Sequence, residues 1–79
     1  MNSMTKRYFE VYGEESGYIN SFDSLVDAYY QVKSLKEFDK SHNIKDKYYY
    51  QLCIENDNEL KIYDIKVRKY GAFIKFILV

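Results

Sequence analysis

Just one stretch of this chain repeats its apolar side chains at helical spacing, and that limits the fold more than any other feature. Leu25, Ala28, Val32 and Leu35 recur at intervals of three and four, with Tyr29 and Phe38 flanking them, while Tyr30, Lys33 and Glu37 point elsewhere. Ser24-x-x-Asp27 fits a capping box at the start, with Ser21 as the alternative cap. The stripe fades by Lys40, and Asn43 suits the left-handed conformation that ends a helix. A lone amphipathic helix needs an apolar partner surface, and the remaining sequence, which alternates in twos, supplies it.

Lys6 to Tyr12 alternates Phe9 and Val11 with Tyr8, Glu10 and Tyr12, the period of a half-buried strand. Residues 13–17 form a turn cluster, and Tyr18 to Phe22 extends briefly before the helix. Lys47 to Glu55 is the next strand, with Tyr48, Tyr50, Leu52 and Ile54 on one face and Tyr49, Gln51, Cys53 and Glu55 on the other. Asn56-Asp57-Asn58 is a hairpin turn, because Asn and Asp tolerate positive φ. From Glu59 to Lys69 the alternation slips: Leu60 and Ile62 are out of phase with Ile65 and Val67, and a bulge near Tyr63-Asp64 would restore one buried face. Tyr70-Gly71 turns the chain into a last strand from Ala72 to Val79.

The expectation is a single α+β domain over residues 1–79, in the order β-α-β-β-β: one helix packed on one face of an antiparallel sheet of about four strands. A chain of 79 residues buries only about 60% of its unfolded surface. Its ten Tyr and five Phe give large buried area per residue, which helps so short a chain build a core. With the helix on one side, the other sheet face has no internal partner. Phasing places Tyr8, Tyr12, Tyr49, Lys66, Arg68, Tyr70, Phe73 and Ile77 there. An aromatic and basic face of that kind is the candidate binding surface, with Tyr8, Tyr12, Tyr49, Lys66, Arg68, Tyr70 and Phe73 as its contact residues.

Catalytic and metal chemistry finds little support. His42 and Cys53 are the single residues of their kinds, eleven apart and without paired partners, so no metal site is expected. His42 reads as a solvated loop residue and Cys53 as a small packing residue. The carboxylate pairs Glu14-Glu15 and Asp57 with Glu59 fall in turns, and Gly13, Gly17 and Gly71 belong to no phosphate loop. No cofactor and no enzymatic activity are expected. Twelve basic and twelve acidic side chains balance to zero, which argues against a bulk electrostatic binder of nucleic acid. The charge is nonetheless uneven, at −3 over residues 1–39 and +3 over residues 40–79. The longest apolar run, Phe73 to Val79, is broken by Lys75 and too short to cross a bilayer. With a polar start from Met1 to Arg7, a soluble cytoplasmic chain is expected.

Two resemblances add to this reading. Lys69-Tyr70-Gly71-Ala72-Phe73-Ile74-Lys75-Phe76 resembles the aromatic octamer of RNA-recognition motifs, with Tyr70 and Gly71 transposed. That resemblance implies base stacking on Phe73 and Tyr8 from an open sheet face. The whole pattern is similar to small proteins of phages and mobile elements of low-GC bacteria, anti-CRISPR and other anti-defence inhibitors among them. It is carried by Gly17-Tyr18, Ser21-Phe22 and Ser24-Leu25 leading into one helix, then the tyrosine-rich hairpin from Tyr48 to Tyr50. It implies a non-catalytic inhibitor in the host cytoplasm that binds a host protein or ribonucleoprotein effector complex and blocks nucleic-acid or partner access. Two alternatives remain open: a homodimer that pairs its last strand or outer sheet face, and a single-strand nucleic-acid binder using sheet-face aromatics.

Overall fold

The computed structural model describes residues 5–79; residues 1–4 of the polar start lie outside them. Six elements follow in order: β1 (Lys6–Gly13), β2 (Gly17–Phe22), α1 (Leu25–Ser41), β3 (Tyr48–Glu55), β4 (Leu60–Tyr70) and β5 (Phe73–Leu78). The class is α+β, with one helix and one antiparallel sheet in the order β2-β1-β3-β4-β5. The sheet has five strands where about four were expected, because residues 17–22 pair fully with β1 instead of extending briefly. The element order is therefore β-β-α-β-β-β.

The first hairpin exists because its turn is tied down from outside. Gly17 sits at φ 76°, a conformation that favours glycine. The Asp46 carboxylate, just before β3, accepts the Glu15 N–H at 2.9 Å and the Ser16 hydroxyl at 2.6 Å. These bonds, the Ser16 bond foremost, hold the Asp46 carboxyl below its ordinary range. Gly13 is buried beside them, and a Cβ there would stand 2.7 Å from Asp46 Oδ2. β2 and β3 each run antiparallel to β1, so they are parallel to one another. The helix is the long crossover such a connection requires.

Ser24 occupies the N-cap, as the sequence implied, but its side chain makes no cap hydrogen bond. The capping box is not formed; the Ser24 carbonyl accepts the Ala28 N–H at 3.2 Å. The other end behaves as the sequence predicts. Asn43 sits at φ 56°, and the Ile44 N–H donates to the Asp39 carbonyl at 2.8 Å, the bond that closes a Schellman motif.

The core lies between α1 and the sheet. Val11, Ala28, Val32, Tyr50 and Ile65 are buried, with Phe9, Leu52, Val67 and Phe76 packed around them. The expected bulge near Tyr63-Asp64 is absent: β4 pairs with β3 in unbroken register from Leu60 to Ile65. The irregularity falls instead between Val11 and Tyr12, where Ile19 is the extra residue on β2 and packs against the core. Leu60 and Ile62 consequently face away from the helix and are exposed. Ile74 and Leu78 share the helix side with Phe76 by register, yet remain exposed because the helix does not cover them. The radius of gyration, 14.3 Å, exceeds the ~12 Å of a compact chain this long. The far half of the β4–β5 hairpin accounts for that excess by projecting past the helix.

Candidate functional site

All seven residues singled out from the sequence fall on the sheet face opposite the helix. Pairing makes this explicit: Tyr8 lies across from Cys53 and Tyr12 from Tyr49, on the face opposite Val11 and Tyr50. Lys66 pairs with Ile77, Arg68 with Lys75, and Tyr70 with Phe73. They do not, however, form one patch. Tyr8 belongs to an acidic and tyrosine-rich zone, and its hydroxyl points to Glu55 Oε2 at 3.4 Å. Tyr70 and Phe73 close the hairpin at the far tip, where Phe73 is 77% exposed. Tyr12, Tyr49 and Lys66 meet at the middle, with Arg68 next along the strand.

The acidic zone is organised by Glu10. One carboxylate oxygen accepts the Tyr12 hydroxyl at 2.7 Å and the other the Cys53 thiol at 3.2 Å. The first bond pushes the Tyr12 phenol up to about 12. Cys53 is wholly enclosed, and burial, reinforced by Glu10, pushes its thiol up to about 11. It is a packing residue, as its strand position implied, with little thiolate for nucleophilic chemistry at neutral pH. His42 is exposed, its ring stacked on Phe38 with centroids 4.0 Å apart. Among the described residues no group of three or more potential metal ligands converges.

At the centre the sheet forks. The β3–β4 ladder stops at Tyr50 opposite Ile65. Beyond that point Tyr49 and Tyr48 stay with Tyr12 and Gly13 of β1, while Lys66 to Tyr70 continue with β5. A side-chain bond explains part of the divergence. The Tyr48 hydroxyl donates to Asp39 of α1, which draws the start of β3 toward the helix and pushes the Tyr48 phenol up to about 12. On the helix side the fork opens a cleft of about 530 Å³ between α1, β3 and β4. Lys33 and Lys36 of α1 and Lys69 of β4 face it from the helix side, Lys66 and Arg68 border it with side chains turned to the opposite face, and no acidic residue lines it.

Several of these residues escaped the sequence reading. Lys33 points away from the sheet in the sequence pattern, Lys69 enters it only as the basic start of the aromatic octamer, and Lys36 and Asp39 give no signal beyond charge. Asp39 is 8% exposed. The one available clue was spacing, since it continues the Ala28, Val32, Leu35 series by four residues. The octamer similar to that of RNA-recognition motifs spans the end of β4, a turn and β5, so Tyr70 stands on one strand and Phe73 and Phe76 on the next, the last two on opposite faces. No helix among the described residues is long and apolar enough to cross a membrane. Comparison of the chain with protein-family models, with curated proteins and with solved structures finds no match.

Proposed function

We propose that this chain is a small non-catalytic protein-binding module, an inhibitor of the anti-CRISPR kind, that occupies a surface of a host effector complex and blocks access to it. The observation that carries this reading is the sheet face without a helix. Tyr49, Leu60, Ile62, Tyr70 and Phe73 are all exposed on it, with Lys66 and Arg68 between them. Aromatic and arginine side chains of this kind supply most of the energy in protein interfaces, and a standard contact of about 800 Å² per partner fits a face this large. The test is interference: the chain is expressed in a bacterium whose CRISPR system targets a given phage, and plating efficiency is scored. Restored plating, lost again in Arg68→Glu and Phe73→Asp variants that stay folded, supports the reading. Unchanged interference at full expression refutes it.

A second reading draws on β5. This edge strand carries Phe73, Ile74, Phe76, Ile77 and Leu78 with a single Lys75, so it lacks the charges and bulges that usually protect an open edge. Two copies paired through β5 would form one continuous sheet with two-fold symmetry. Sedimentation over a hundredfold range of concentration decides it, and a monomer throughout rules it out.

A further inference from the structure

The fork leaves strand β4 with a length of unused ladder. The Val79 N–H donates to the Asp64 carbonyl at 2.9 Å, so the backbone groups of Asp64 point toward β5. In an antiparallel sheet the direction alternates from one residue to the next. Lys66, Arg68 and Tyr70 therefore also address β5, while Ile65, Val67 and Lys69 address the β3 side. Ile65 meets Tyr50 there. Val67 and Lys69 meet no strand, and among the described residues no other backbone hydrogen bond reaches them. Two N–H donors and two carbonyl acceptors thus face into the cleft, along an edge of five residues, or about 17 Å of extended chain.

The charges around that edge all have one sign. Three cationic side chains, Lys33, Lys36 and Lys69, line the helix side of the cleft with no carboxylate in its lining, and the sole ion pair among the described residues lies elsewhere, between Lys61 and Glu59. The tyrosines argue for the kind of anion. Tyr50 is buried, Tyr48 is bonded to Asp39, and Tyr29 packs edge-on against Phe76 at 6.1 Å. Of the four tyrosines that line the cleft Tyr49 alone is exposed, and its ring belongs to the opposite face, whereas the backbone edge is open.

We infer that the fork is a binding slot for an acidic polypeptide in extended conformation, which adds as a strand along Lys66–Tyr70 while its carboxylates meet Lys33, Lys36 and Lys69 on the helix side. Main-chain hydrogen bonds supply affinity and the cations select the sequence. This goes beyond partner capture by the opposite sheet face, because Lys33 and Lys36 belong to the helix side alone.

The test is fluorescence anisotropy with a labelled eight-residue peptide alternating glutamate and valine. Saturable binding is expected, at least tenfold weaker for the lysine–valine counterpart and for a peptide N-methylated at alternate residues. A Lys33→Glu/Lys36→Glu variant should weaken binding at least tenfold yet leave plating efficiency in the interference assay unchanged, which separates this slot from the outer face. Lys69→Pro removes one cleft-facing N–H without touching the β5 ladder and should weaken binding similarly; if it unfolds, the N-methylated peptide makes the same test. No saturable binding, equal binding of the N-methylated peptide, or tighter binding of single-stranded oligothymidylate each overturns the inference.

Discussion

Tyr48→Phe removes a single oxygen atom and isolates the contribution of one bond. The lost hydroxyl is the donor to Asp39, a carboxylate that is almost entirely enclosed and sits in the last turns of α1, where the negative helix end already disfavours an anion. A hydrogen bond to a charged group is worth about 1.5–3 kcal/mol, and Tyr48 is only half-buried, so the lower figure applies: a loss of about 1.5 kcal/mol. For a domain of this size that lowers Tm by roughly 6–12 °C. Thermal melts followed by circular dichroism at pH 7 provide the reading, with Tyr49→Phe, whose ring is exposed, as the control expected to stay within about 0.5 kcal/mol of the parent. The cycle with Asp39→Asn should return a coupling of at least ~0.5 kcal/mol, as residues in direct contact do. A Tyr48→Phe melt within about 2 °C of the parent, where about 6–12 °C is expected, would refute the claim that this bond anchors the start of β3.

Three further outcomes are expected. Tyr12, Tyr48 and Tyr50 are all pushed up from 10.0 to about 12, Tyr50 by burial, so their uncharged forms stabilise the fold below pH 10 and that contribution is lost as pH rises from 10 to 12; alkaline titration should show cooperative unfolding in this window together with phenolate absorbance, and independent non-cooperative ionisation near pH 10 would contradict it. Gly13→Ala forces a Cβ against Asp46, which the turn bonds hold in place, and should cost about 1–3 kcal/mol in urea unfolding. The Cys53 thiol, enclosed and raised to about 11, should react with a thiol reagent at pH 8 only at the rate of unfolding, and rapid labelling of the native protein would overturn its placement.

What the sequence disclosed follows from periodicity. The helix was legible because its apolar series has a period that no strand shares, and its end was legible because Asn43 favours positive φ. The side of the sheet on which Tyr8, Tyr12, Tyr49, Lys66, Arg68, Tyr70 and Phe73 lie was legible for the same reason, since alternation fixes a residue's face once the strand is recognised. Their lateral spacing was not, because it depends on non-local pairing: nothing local reveals that β3 stays with β1 beyond Tyr50 while β4 departs with β5. The misplaced bulge arose from requiring every apolar residue of β4 to reach one core. Leu60 and Ile62 instead face solvent, and the Glu59–Lys69 pattern is an ordinary strand with apolar residues on both faces. β2 was half read because six residues between a turn and a cap carry too little pattern to separate a strand from a loop. Asp39 was hidden by its charge, since its burial depends on a partner nine residues away.

The overhang of β4 and β5 beyond α1 divides the molecule into a stiff root and a pliable blade. The blade is held by one ladder and a two-residue turn with Gly71 at φ 59°, and it shields little apolar surface. Amides there are expected to exchange with solvent through local opening, ahead of those of the root. The exposed aromatic pair Tyr70 and Phe73 is therefore carried on the segment with the fewest neighbours, and local opening there is expected to reorient that pair without disturbing the root.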